Sequence, residues 1–349
     1  MTADKPVFDR LADRYLGTRS DLQLPFPGEV PVLVWYALGV VLVEVVLLQA
    51  YNVAVGRPIA FVDNPLWLLR PVVLVGGAVA VYSLYDSYDR AREHSLLFEY
   101  DDLPSPLVPP RLTWGLVGAG IAFTLYNALG ILTVSQIYSA GGPARVFRFV
   151  VITPFGYVPI LAVFLSTYLS IQVYLPLRIR RSDIELDFLD PQNVGGMRPL
   201  GELLKQSYYL LMLGLCAYAI ATYAPYIIQG ALEYEAFDPP GLAVNVLFTS
   251  AWAFGVGAMV FGIYVLHRCM AENKRRVLKA LNEEARAEFE SWDIREIDMA
   301  DPPTELDRYH ERVRHVTNTR EYPATFTMWT QLLVGVMLPK ALQVALAAI

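Results

Sequence analysis

Seven stretches of the chain are almost wholly apolar, each near the ~20 residues a helix needs to cross a hydrocarbon core of about 30 Å. They run Pro31–Ala54, Leu66–Leu84, Leu112–Val134, Val150–Val173, Tyr208–Ile228, Leu242–Leu266 and Phe326–Ile349. Polar and turn-forming segments separate them. Aromatic side chains cluster near their ends: Trp35, Trp67, Trp114, Tyr138, Tyr174, Tyr226 and Trp329 suit the two interface belts of a bilayer. The pattern predicts an all-α, polytopic membrane protein with seven transmembrane helices.

The polar segments differ in character. Residues 1–30 lack the apolar core of a secretory signal. Within them Val7, Phe8, Leu11 and Tyr15 keep helical spacing, which reads as a short amphipathic helix on the membrane or as an arm docked on the bundle. The segment from Met270 to Trp292 is rich in helix formers, so the sixth span is expected to continue into it. Thr304 with Asp307 resembles a capping box and opens a second helix from Glu305 to about Arg320. Four regions follow: a cytoplasmic arm (1–30), a six-helix bundle (31–266), a cytoplasmic helical hairpin or anchor (267–323) and a terminal membrane helix (324–349). Between spans four and five, Asp190-Pro191 and Asn193-Val194-Gly195-Gly196 are turn chemistry. A compact turn and an anion-binding backbone nest are both open there.

Charge orients the bundle. Of 28 lysines and arginines, 23 fall on the N-terminal arm and on the second, fourth and sixth loops. Four (Arg57, Arg70, Arg145 and Arg148) fall on the other side, and the last is Lys340. The positive-inside rule then puts the N-terminus in the cytoplasm and the C-terminus outside a cell (plasma) membrane. Across 349 residues, 55% are hydrophobic and 18% charged, with net charge −6. The chain thus lacks the basic face that nucleic acid requires.

Ionisable residues inside a bilayer cost about 2.5–3.5 kcal/mol each at a helix centre, so they point to function. Glu44 and Lys340 stand out. Each lies about 20 Å along its own span, at nearly one depth in the outer half. Three readings are open: the two pair, each faces water, or Lys340 snorkels to the outer interface. Asn127, Asn245, Thr249, Ser250 and Gln331 are further polar positions within spans. His94, His267, His310 and His315 show no metal-ligand spacing, and GxSxG, HExxH and P-loop motifs are missing. Neither an enzyme, a metal nor another cofactor is expected. Cys216 and Cys269 make no disulfide framework.

Seven spans, an inside N-terminus, an outside C-terminus and a helical cytoplasmic side together resemble the seven-transmembrane ion channels typified by insect olfactory and gustatory receptors. The turn at Gly195-Gly196 is similar to one in prokaryotic membrane proteins. In the last span the stretch Thr325-Phe326-Thr327-Met328-Trp329-Thr330-Gln331-Leu332 resembles that family's Thr-Tyr…Gln-Phe signature, one residue shorter and with both aromatics changed. The resemblance implies a homotetramer whose last helix lines a central cation pore and whose cytoplasmic helices hold the subunits together. Pore-lining residues would then be Gln331, Val334, Met337, Leu338 and Gln343. A small-molecule ligand pocket would involve Tyr82, Tyr85, Tyr126 and Tyr218. A ring of four Lys340 side chains would repel cations, so either Lys340 turns away toward Glu44 or the selectivity differs. Two other classes compete: a non-conducting receptor or scaffold subunit, and a retinal-binding protein of the heliorhodopsin type with Lys340 as the Schiff-base lysine and Glu44 as counter-ion.

Overall fold

A computed structural model describes residues 5–7, 9–10, 31–57, 59–94, 106–182, 184–232, 241–288, 304–323, 334, 336–341 and 343–345. Every regular element among them is helical. Six helices are long and apolar enough to cross a membrane: α1 (Val32–Ala54), α2 (Pro65–Glu93), α3 (Pro110–Ile131), α4 (Gly141–Arg181), α5 (Arg198–Leu232) and α6 (Leu242–Glu288). Two shorter ones follow, α7 (Thr304–Asn318) and α8 (Val336–Ala345). Ten residues of helix span about 15 Å, half a bilayer core. Apart from Val334, the remainder of the expected seventh span, Gln331 included, lies outside the described residues.

The helices outrun the apolar runs that announced them. Most of the excess lies at one end: α2 continues to Glu93, α5 begins at Arg198, and α6 reaches Glu288 instead of stopping near Leu266. Hydropathy marks the lipid-embedded part of a helix, while the backbone hydrogen-bond ladder continues until a turn residue ends it.

Neighbouring helices alternate in direction. Leu33 N donates to Tyr82 Oη at 3.2 Å, joining the start of α1 to the far part of α2. Thr113 and Ser166 share a hydrogen bond of 3.0 Å between the start of α3 and the far part of α4. Gln206 Nε2 reaches Ser83 Oγ at 2.9 Å, and Tyr168 Oη donates to Gly255 O at 2.6 Å. The alternation gathers residues 182–197, the polar part of α6 and α7 at one end of the bundle, together with the start of α1. This is the end rich in lysine and arginine.

Helix α4 is the most enclosed and packs against α1, α2, α3, α5 and α6. In lipid, close packing and interhelical hydrogen bonds hold helices together, since hydrocarbon gives apolar side chains no reason to leave it. The contacts of α4 follow that rule. Gln172 Nε2 donates to Leu204 O at 2.8 Å and to Ser207 Oγ at 2.9 Å on α5. Gly262 lets α6 approach so closely that a Cβ there would collide with Gln172 O. Tyr88, Tyr168, Tyr208 and Leu175 fill the centre.

At the basic end, α7 lies along the polar part of α6. Arg312 reaches Glu284 at 3.2 Å, and Lys274 Nζ donates to Thr317 O at 2.8 Å and Thr319 O at 2.9 Å. His267 Nδ1 lies 2.8 Å from Glu321 O, and its ring stacks on Tyr322 at 4.1 Å. The turn before α5 settles the question raised at Gly195-Gly196. Asn193, Gly195 and Gly196 take positive φ, and the Asp190 carboxylate accepts from the backbone N–H of Gln192, Val194 and Gly196 at 2.9, 3.1 and 2.9 Å. The nest is filled by the chain's own carboxylate, which makes it a compact turn. Arg320 N bonds Asn193 O at 2.7 Å, so the turn also clasps the segment after α7. Of the N-terminal arm, Val7 is buried and Asp9 accepts from Tyr82 Oη at 2.9 Å, which docks that part on the bundle. Phe8, Leu11 and Tyr15 lie outside the described residues.

Candidate functional site

Two polar networks lie toward the end of the bundle away from the basic loops. The first is built on widened helical turns. Leu42–Leu47 of α1 and Arg148–Tyr157 of α4 are π-helical, the second containing Pro154, which has no N–H to give the regular ladder. Such insertions recur at functional sites because they re-aim side chains. Here they aim Glu44 at Arg148 and Tyr157. Glu44 is fully buried, and Arg148 Nε lies 2.8 Å from its Oε1, a charge contact without hydrogen-bond alignment. Tyr157 Oη donates to Glu44 Oε2, and Gln49 Nε2 reaches Glu44 O at 3.4 Å. The Arg148 guanidinium sits over the Trp67 ring at 5.3 Å, a cation–π contact that places α2 beside the pair. Arg57, just past α1, donates to Gly141 O where α4 begins, and Gly142 takes φ 66° there.

The second network joins α8 to α5 and α6. Lys340 Nζ donates to Thr249 Oγ1 at 2.9 Å and to Gln343 Oε1 at 2.6 Å. Gln343 Nε2 donates to Tyr223 Oη and to Asn245 Oδ1, both at 3.0 Å, and Tyr223 Oη donates to Asn245 Oδ1 at 2.5 Å. Trp252 Nε1 donates to Val336 O at 2.9 Å, one helical step lower. A shallow, open groove of about 250 Å³ lies beside this network along one face of α6, at Asn245, Val246, Thr249 and Ser250.

Glu44 and Lys340 therefore stand in separate networks, and the pair open to them in sequence is replaced by Glu44–Arg148 and by Lys340 among neutral oxygens. The cause is geometric: α4 packs on α1, whereas α8 is hydrogen-bonded to α5 and α6. Among the described residues Lys340 has no carboxylate within ion-pairing reach. The pore candidates also divide. Val334, Met337 and Leu338 are exposed, at 63%, 61% and 56%, while Gln343 is 5% exposed on the opposite side of α8. Nine residues separate Val334 from Gln343, about two and a half turns, which puts them on opposite faces.

The four tyrosines do not converge on a pocket. Tyr85 is buried, and Tyr82 is spent on Leu33 and Asp9. Tyr126 is an exposed residue at the end of regular α3, and Tyr218 stacks on Phe248 at 6.1 Å. Gln49, Arg148, Tyr157, Tyr223 and Trp252 are network members that the sequence did not single out. One signal for Arg148 was present: it is one of only four basic residues on the side toward which a buried carboxylate lies. No group of three or more histidine, cysteine or acidic residues arranged to hold a metal occurs among the described residues. No family model, curated protein or solved structure matches the chain.

The architecture is that of an all-helical protein whose six long apolar helices suggest a multi-pass membrane protein.

Proposed function

We propose that the chain is one subunit of a homotetrameric, ligand-gated cation channel of the plasma membrane, with α8 lining a central pore and α6–α7 joining the subunits on the cytoplasmic side. The observation that carries this reading is the two-sidedness of α8. Its polar side, Lys340 and Gln343, is bonded into the bundle, and its apolar side, Val334, Met337, Leu338 and Val344, is exposed. Four copies around an axis would bring those apolar rows together as a constriction that closes by dewetting. Lys340, held by Thr249 and Gln343, would leave that constriction without a ring of ammonium groups. An inside N-terminus follows from the basic end described above.

The test is purified protein in planar bilayers. Unitary cation currents, with conductance changed by Met337→Ala or Leu338→Ser, support the pore. Silence across ligands with a monomer on gel filtration favours a non-conducting receptor or scaffold. Visible absorbance that vanishes in Lys340→Ala would establish the retinal-binding class instead.

A further inference from the structure

The geometry points to a binding site for a small carboxylate-bearing ligand in the groove of α6, with Lys340 as the group that recognises its charge. An ammonium has three donors. Two are taken by Thr249 and Gln343, both neutral. Among the described residues no carboxylate lies beside this ammonium, and an anion is the partner that a strongly hydrated charge held at membrane depth favours. The groove is at the right place. Thr249 lines it, and its hydroxyl is 2.9 Å from the ammonium. Asn245, a second lining residue, is bonded to the same network through Gln343.

The groove's chemistry also narrows the ligand. Asn245, Thr249 and Ser250 offer hydrogen bonds at one wall, and Val246 offers apolar surface. A volume of about 250 Å³ is below the range of drug-sized pockets, about 300–1,000 Å³. A short aliphatic carboxylate fits those terms: a charged head for Lys340 and a chain that follows the apolar face of α6. Such a ligand would bridge α6 and α8 through Thr249 and Lys340, and so act on the helix we assign to the pore. The site itself does not depend on conduction.

The experiment titrates purified full-length protein in nanodiscs with octanoate, octanol and octylamine, read by calorimetry and by shift of the melting midpoint. Octanoate is expected to bind and raise the midpoint, and the two equally long uncharged and cationic probes are not. Lys340→Met and, separately, Ser250→Leu are expected to weaken octanoate roughly ten- to hundredfold, the loss of one charge-assisted contact or of the space itself. Lys340→Arg should retain part of the affinity. Gel filtration and the ligand-free midpoint establish that each variant is folded. Equal binding of octanoate and octanol, unchanged affinity in Lys340→Met, or no binding by any probe would overturn the site. Binding is read without current, so failure here and failure of the channel reading are separate results.

Discussion

Glu44 and Lys340 are opposite charges expected at one depth in the same protein, and the fold treats them differently. Glu44 is fully enclosed and meets a charge and a phenol. Lys340 is half-buried and, among the described residues, meets neutral oxygens beside an open groove. A carboxylate enclosed between helices needs a permanent countercharge, and Arg148 on the enclosed α4 supplies it. Lys340 on α8 is stabilised instead by the dipoles of Thr249 and Gln343. The contrast separates a charge enclosed in an ion pair from one held by neutral oxygens.

The strongest challenge to that contrast is Glu44→Leu. It strands Arg148 and should cost about 3–5 kcal/mol. The double variant Glu44→Leu/Arg148→Leu should recover part of the loss, since Arg148 is no longer stranded, while Arg70, which also interacts electrostatically with Glu44, stays behind. Thermal unfolding in detergent, followed by thiol-reactive dye at the buried Cys269, measures both. If the single and double variants melt alike, Glu44 does not depend on Arg148.

Tyr157→Phe removes one hydrogen bond to the carboxylate and leaves the ion pair, so a smaller loss of about 1.5–3 kcal/mol is expected in the same assay. Asp190→Ala extends the comparison to the basic end. Three backbone donors lose a charged acceptor in a partly hydrated turn, so the loss should be about 1–2 kcal/mol. It should be accompanied by faster amide exchange at Val194 and Gly196. Lys340→Met should change stability least, by less than about 0.5 kcal/mol or with a gain, because it removes a charge that has no countercharge among the described residues. A clear destabilisation by Lys340→Met would mean that this lysine is as structural as Glu44.

The sequence carried the spans well and the partners poorly. Pro31–Ala54 and Val32–Ala54 differ by one residue at the start, because lipid demands apolar side chains along a whole crossing. The continuation of α6 into Met270–Trp292 was also legible, from its helix formers. The Glu44–Tyr157 contact joins residues 113 apart along the chain, and nothing local to either residue encodes it. Helical spacing groups Gln343 with Val334, Met337 and Leu338, whereas the bundle takes up its side of α8 and leaves theirs exposed. The π-helical turns that carry Glu44, Arg148 and Tyr157 leave no apolar periodicity of their own, so they could not be read in advance.

The length of α6 has a mechanical consequence. It is an unbroken rod of 47 residues, and the part beyond Leu266 reaches about 33 Å from the lipid-facing segment. A tilt of only about 5° within the bundle would sweep its far tip through about 3 Å, carrying α7 with it through Lys274 and Arg312. Small rearrangements deep among the helices are thereby converted, without any hinge, into displacements large enough for another molecule to sense.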